Sequence, residues 1–391
     1  MFSNRFDWLA PDNALGRLIA QKRAAGDVLL DLTQSNPTRV GLQYESDTIL
    51  AALASPAAIT YLPDPHGIIP ARRAVAEYYR PHGAPLDPER LFLTASTSDA
   101  YALLFKLLAD AGDEVLIPSP GYPLLSYLTR FEALRPIAYP LRYDDADGWT
   151  IDMDVLEALI TPRTRAVVLV NPNNPTGSYV KHHELSILDA ICRRHDLALI
   201  VDEVFADYAA ADAPATRVAT ALDATESLCF VLNGFSKLVA LPQVKLGWIL
   251  LSGQAAAVHA AGQRLETLLD FYLSISTPVQ HAAQTLLSSR QGIQQQINLR
   301  IAANEQFLQR QIAKTRHCRL LRREGGWYAV VDFTDTLGDE ERILDLLAHT
   351  NTVVHPGYFY DFHREGFVVI SLLPREEVFC KGVRHLLSAG G

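Results

Sequence analysis

An α/β fold with a mostly parallel central sheet, followed by a smaller α+β unit, is what this 391-residue chain predicts. Three observations lead there. Short apolar runs at 91–94, 115–117, 166–170 and 197–201 alternate with stretches of helical periodicity, the pattern of strands buried on both faces by crossover helices. Polar residues gather where those runs end, as expected at the carboxyl edge of such a sheet. Past Trp248 the chain changes to long helical stretches and then to short strands mixed with one helix.

The elements follow in order. Residues 14–25 place apolar and basic positions at helical spacing, and 27–33 reads as a short strand running into Gln34-Ser35-Asn36-Pro37, where the Asn-Pro step stops regular structure. A helix is expected around 48–54. Tyr61-Leu62-Pro63-Asp64-Pro65-His66-Gly67 is too rich in proline for helix or strand and forms a stiff loop. Helix Ile69–Tyr79 and strand Leu91–Thr94 come next, then Ala95-Ser96-Thr97-Ser98-Asp99 and an apolar helix over 100–108. A strand, a hydroxyl-rich turn and a helix N-terminus together can cradle an anion. An ordinary N-cap by Ser98 or Asp99 is the plainer reading of the same residues.

A strand at 115–117 runs into the loop Pro118-Ser119-Pro120-Gly121-Tyr122-Pro123, whose aromatic can cap a flat ligand or pack on its own domain. A turn and strand at 149–154 and a helix at 155–160 precede the buried strand 166–170, which ends in Asn171-Pro172-Asn173-Asn174-Pro175-Thr176-Gly177. After a helix near 184–194, strand 197–201 ends in Asp202-Glu203. Long helices at 255–270 and 291–316 follow, the second with Ile293, Ile297, Ile301, Leu308 and Ile312 on one side. Strands within 325–331, 352–354 and 367–373 and a helix at 340–349 complete the smaller unit. The sequence shows no internal repeat and no low-complexity segment.

Composition bounds the function. With 49% hydrophobic and 20% charged residues, the chain has the balance of a globular enzyme. Its 44 acidic against 35 basic residues, with no basic run, argue against nucleic acid and acidic membrane surfaces as partners. Cys192, Cys229, Cys318 and Cys380 are far apart and form no metal-ligand spacing, so no metal is expected and the thiols suit a reducing compartment. Residues 1–8 carry no basic segment leading into an apolar core, and no apolar run reaches membrane-spanning length. A cytoplasmic location is the expectation.

The chemistry is expected around Lys237. Ser236-Lys237 follows the apolar run 229–232, which presents an amine at the mouth of the sheet, and Lys245 stands eight residues on in a second apolar run, 245–251, read as the next strand. One lysine can capture a carbonyl carbon while the other pairs with an anion. Two surface lysines around a loop would give the same stretch.

Taken together, Asn-Pro-Asn-Asn-Pro-Thr-Gly at 171–177, Asp202-Glu203, Ser236-Lys237 and a cation at 245 resemble the pyridoxal-phosphate-dependent aminotransferases of classes I and II, fold type I, over nearly the whole chain. The resemblance implies a large cofactor-binding domain over 46–284 and a small domain made of 1–45 and 285–391. It implies pyridoxal 5′-phosphate as a Schiff base on Lys237, which also shuttles the proton between the substrate α-carbon and the cofactor. Asp202 would pair with the pyridine nitrogen. Asn174 would donate to the phenolic oxygen, and Tyr122 would stack on the ring. Thr97, Ser98, Ser236 and Lys245 would hold the phosphate. Tyr61 matches the residue that reaches the phosphate of the neighbouring subunit, which implies a homodimer. The implied activity is ping-pong transfer of an amino group from an amino donor to a 2-oxo acid.

Four positions depart from the family pattern. Phe205 stands where a tyrosine usually donates to the phenolic oxygen. Gly234 replaces a phosphate-binding serine, and Lys245 an arginine. Val369 stands where an arginine usually grips the substrate α-carboxylate, leaving Arg364 or Arg39 as possible substitutes. A carbon–sulfur β-lyase on the same fold would use the same lysine and aspartate. A cofactor-sensing regulator would carry a DNA-binding segment, for which there is no room before Asp31.

Overall fold

The computed structural model describes every residue except 7–12, 83–85, 223–225, 335–336 and 389–391. Part of the 1–8 stretch read for a leader, and the last residues of the expected small domain, thus lie outside the described residues.

An eight-stranded sheet forms the centre. Its order is Leu91–Thr94, Gly247–Ser252, Cys229–Gly234, Ala198–Asp202, Thr164–Val170, Glu114–Ser119, Arg135–Asp144 and Gly148–Ile151. The five strands from Cys229–Gly234 to Arg135–Asp144 run parallel, while both flanks are antiparallel. Alternate side chains feed two cores: Val167, Leu199, Val201 and Val231 enter one, and Ala166, Val168, Ile200 and Phe230 the other. Burial on both faces is why these strands read as continuous apolar runs.

Register then sets the site. Val170 lies opposite Asp202, Asp202 opposite Leu232, and Gly234 opposite Gly247, so the segments that follow these strand ends lie side by side. The peptide bonds Ser119–Pro120, Asn171–Pro172 and Asn174–Pro175 along this edge are cis.

A second sheet, ordered Cys318–Leu320, Tyr328–Phe333, Phe367–Ser371 and His355–Pro356, is wholly antiparallel. Leu30–Asp31 pairs with Thr352–Val353, which ties the N-terminal segment to this unit. The long helix Arg290–Ile312 buries Ile293, Ile297, Ile301, Leu308 and Ile312, as its periodicity predicts. The two sheets are joined at Glu324, whose buried carboxylate accepts from the Tyr179 N–H at 2.9 Å and from Lys181 Nζ at 3.0 Å. That anchor fixes the segment leading to Trp327.

Several expectations are corrected. The strand expected at 27–33 shortens to Leu30–Asp31. The N-cap of helix Thr97–Leu108 is neither Ser98 nor Asp99 but Ser96, whose hydroxyl accepts from the Asp99 N–H. Lys245 precedes its strand, which begins at Gly247, and sits in a turn with φ of 61°. Strand Arg135–Asp144 and helices Leu124–Phe131, Thr277–Ser288 and Glu376–Ser388 were absent from the sequence reading.

Candidate active site

Lys237 lies in the one-turn helix Phe235–Leu238, directly after strand Cys229–Gly234. Its backbone is held from below by the Tyr208 hydroxyl, which donates to the Lys237 carbonyl at 2.7 Å. Its amine stands 5.7 Å from the centre of the Phe205 ring and 5.6 Å from that of Trp327. Burial pushes the amine below the ordinary lysine range; Asp202 opposes that shift and Lys245 adds to it. The amine therefore holds a larger neutral fraction than a solvated lysine, as a nucleophile or proton carrier requires.

Asp202 closes the neighbouring strand. Its carboxylate accepts the Tyr101 hydroxyl at 3.1 Å and the Val204 N–H at 3.1 Å. Burial raises its pKa to about 6, while these two hydrogen bonds and Lys237 act to lower it. A buried carboxylate on two hydrogen bonds still favours a cationic or N–H partner. Asn174 is buried in the adjoining loop, and its side-chain oxygen has no partner among the described residues.

The residues expected to hold the phosphate gather where three strands converge. Strand Gly247–Ser252 lies between Leu91–Thr94 and Cys229–Gly234, which brings the start of helix Thr97–Leu108 beside Ser236. A Cβ on Gly247 would come within 2.8 Å of the Ser96 carbonyl carbon and 3.0 Å of the Thr97 nitrogen. A Cβ on Gly234 would meet the Leu246 oxygen at 2.9 Å, so the missing serine reflects a close approach of two strands. Thr97 and Ser98 occupy the first turn of the helix, with their N–H groups at its positive end.

These residues fit pyridoxal 5′-phosphate: a desolvated amine, a buried carboxylate, an amide whose oxygen has no partner among the described residues, and a helix N-terminus, all at adjoining strand ends. Tyr122, Asn174, Asp202, Phe205, Ser236 and Lys237 all fall on this edge, at strand ends or in the loops after them. Lys245 acts electrostatically on Lys237 from its exposed turn. Tyr61 is 68% exposed, in a loop among Leu62, Leu269 and Leu273. The described residues contain no His/Cys/Asp/Glu cluster suited to a metal, and no described helix is long and apolar enough to cross a membrane.

Sequence reasoning missed Tyr101, Trp327 and Tyr328 as site residues. Tyr328 is buried, its ring 6.4 Å from that of Phe205. Its hydroxyl hydrogen-bonds with Ser35, and burial pushes its pKa up to about 12. No local signal marks these aromatics, which read as ordinary strand or helix core. Of the two suggested substitutes for an arginine at Val369, Arg364 donates to Asp332 at 2.6 Å and covers the Phe367 ring, and Arg39 is exposed on the turn Pro37–Arg39.

Comparison with known proteins identifies the family. The family model "Aminotransferase class I and II" matches residues 25–378. An alanine aminotransferase of Mycobacterium bovis is 31% identical over 383 residues, spanning 94% of this chain and 86% of that protein. A glutamate-pyruvate aminotransferase of Escherichia coli is 31% identical over 272 residues, spanning 68% of this chain and 65% of that protein. The crystal structure of an aminotransferase from Escherichia coli superposes with a TM-score of 0.87 at 25% identity, covering 99% of this chain and 97% of that one. The chain belongs to the class I and II aminotransferases of fold type I, pyridoxal-phosphate-dependent enzymes that move an amino group from an amino donor to a 2-oxo acid.

Proposed function

We propose that this aminotransferase exchanges its amino group between small amino acids and 2-oxo acids of the alanine–pyruvate type, with Lys237 as the reacting amine and Asp202 as the carboxylate facing the cofactor's ring nitrogen. The observation that carries the residue assignment is the desolvated Lys237 amine standing within the field of buried Asp202 at adjoining strand ends. The substrate class is supported by the relatives, one named an alanine and another a glutamate-pyruvate aminotransferase.

When bound, the cofactor supplies an electron sink for the bond broken at the substrate α-carbon. The rest is done by the chain. The Lys237 amine takes the α-proton and returns it, and its depressed basicity keeps it available for both directions. Asp202, kept ionised near neutral pH, accepts a proton-bearing ring nitrogen, and the Tyr101 hydroxyl orients it. Asn174 donates to the phenolic oxygen. Thr97, Ser98, Ser236 and Lys245 neutralise the phosphate through N–H groups, hydroxyls and charge. Trp327, Phe205 and Tyr122 shut water from the reacting atoms with aromatic surface.

The same reading assigns 46–284 to a large domain and 1–45 with 285–391 to a small one, in a cytoplasmic homodimer to which Tyr61 contributes across the interface. Exposed Ile59, Tyr61, Leu62, Phe271 and Tyr272 support that contact. Sedimentation at the mass of one chain would remove the dimer. The central test is borohydride reduction of the purified protein followed by peptide mapping. The expected result is cofactor covalently fixed to Lys237 and none in Lys237→Ala; a tag on another lysine would overturn the assignment.

A further inference from the structure

In the small sheet, buried Val369 stands where the family resemblance places an arginine. Paired residues of an antiparallel sheet share a face, and alternate residues along each strand return to it. Tyr328 pairs with Ser371, Val330 with Val369, and Val369 with His355, so these five side chains stand on one face. Tyr328 fixes the direction of that face: its ring lies 6.4 Å from Phe205, which itself lies 5.7 Å from the Lys237 amine. Val369, in the middle, is fully buried and offers neither charge nor donor.

His355, directly across from it, differs in every respect that matters. It keeps partial exposure and makes no hydrogen bond among the described residues. Its ring lies 5.8 Å from that of Tyr360, and Tyr122 and Tyr328 both act electrostatically on Tyr360. An imidazole with an uncommitted N–H therefore stands on the side of the small sheet that looks toward the reacting lysine.

We propose that His355 recognises the carboxylate of the amino acid and 2-oxo acid substrates, taking up a proton as the carboxylate arrives. The assignment rests on the aminotransferase reading above. Its surroundings suit a cation made on demand. Asp31, on the strand paired with Thr352–Val353, is the charged group that acts on it, and it already accepts from the Thr33 N–H and hydroxyl. Val369 faces it from the next strand, and Phe359 and Tyr360 present rings. Helix Asp339–Thr350 packs beside it with buried Ile343, Leu346 and Leu347, and its two buried charged side chains are engaged elsewhere: Asp339 on the Gly366 N–H and Arg342 over the Phe333 ring. Burial holds the free imidazole down to about 4 while Asp31 opposes it; a carboxylate would act in the same sense as Asp31 and draw the proton on.

Propionate, which has a carboxylate but no amino or oxo group, is the probe. Its affinity for the cofactor-loaded enzyme is titrated between about pH 5 and 8, and proton uptake is counted by calorimetry in two buffers of different ionisation enthalpy. Each value is compared with His355→Asn and His355→Gln loaded alike, which subtracts titration of the cofactor. Wild type is expected to take up a proton and to lose affinity by as much as about tenfold per pH unit. Both variants should bind about ten- to a hundredfold more weakly, with no such uptake. Unchanged affinity and proton count in either folded variant overturns the proposal, as does loss of binding in Arg364→Ala instead. Transfer from L-alanine to a 2-oxo acid is assayed in parallel. Its absence in wild type would sink the substrate reading, and propionate binding still decides the role of His355.

Discussion

The two sheets meet at the site with opposite chemistry. The edge of the large sheet offers polar groups: buried Asp202 on Tyr101, half-buried Lys237 within its field, and buried Asn174 with an oxygen unpartnered among the described residues. The facing side of the small sheet is largely apolar and aromatic, with Val330, Val369 and Tyr328 all buried. The difference shows which parts of an active site can change. A buried charge must keep its partner or lose several kcal/mol, so the polar edge alters only as a unit. An apolar face tolerates exchange if its volume is kept, so a carboxylate-gripping cation can be lost there without loss of fold.

The strongest way to break this contrast is at Asp202. Replacement by Ala should leave the cofactor attached to Lys237 yet slow the conversion of a bound amino acid by orders of magnitude, about the scale of losing a preorganised electrostatic partner. Single-turnover absorbance measures it, and near-normal conversion would reduce Asp202 to a structural carboxylate.

Glu203, the next residue, tests whether burial alone costs stability on the polar edge. Burial raises its pKa to about 8, while its hydrogen bonds to the Ala221 N–H and Thr220 act to lower it. The folded state therefore holds this proton where the unfolded state has lost it, and stability falls as pH rises from about 4.5 to about 8. Glu203→Gln keeps an oxygen for Ala221 and should flatten that slope, recovering on the order of a few kcal/mol at the alkaline end. Denaturant midpoints across the range decide it, and an unchanged slope would place the proton elsewhere.

Phe205 is the smallest and most pointed test, because it is an apolar residue on the polar edge. Its ring packs at 5.3 Å from Trp327 and lies beside the Lys237 amine. Phe205→Tyr should add a donor toward the phenolic oxygen, worth about 1.5–3 kcal/mol, and lower the pH midpoint of the bound cofactor's absorbance by roughly one to two units. A midpoint that stays or rises would mean that the ring edge points away from that oxygen.

Much of the large sheet was legible because its signals are local. Helix Ile69–Tyr79 carries apolar periodicity with Pro70 in its first turn, and strand Leu91–Thr94 is a bounded apolar run; both form over the residues expected. Strand Arg135–Asp144 was not legible, because Pro136 and Pro140 argue against a strand. They are tolerated because pairing with Gly148–Ile151 begins only at Leu141, so the strand is an edge over that stretch. Lys245 was misplaced because the apolar residues on either side of it imitate the strand that starts at Gly247, whereas its left-handed φ makes it a turn.

By itself the sequence determined the order and spacing of Asn174, Asp202 and Lys237, since Asp202 closes one strand and the other two follow shortly after strands whose apolar patterns fix where they end. Tertiary structure alone decided that Tyr101 holds Asp202, that Trp327 and Phe205 enclose the Lys237 amine, and that His355 stands across from Val369. These neighbours are brought together by strand register and by the Glu324 anchor. Register is settled only when whole faces find their cores, because a slip of one residue turns every side chain of a strand to the opposite face.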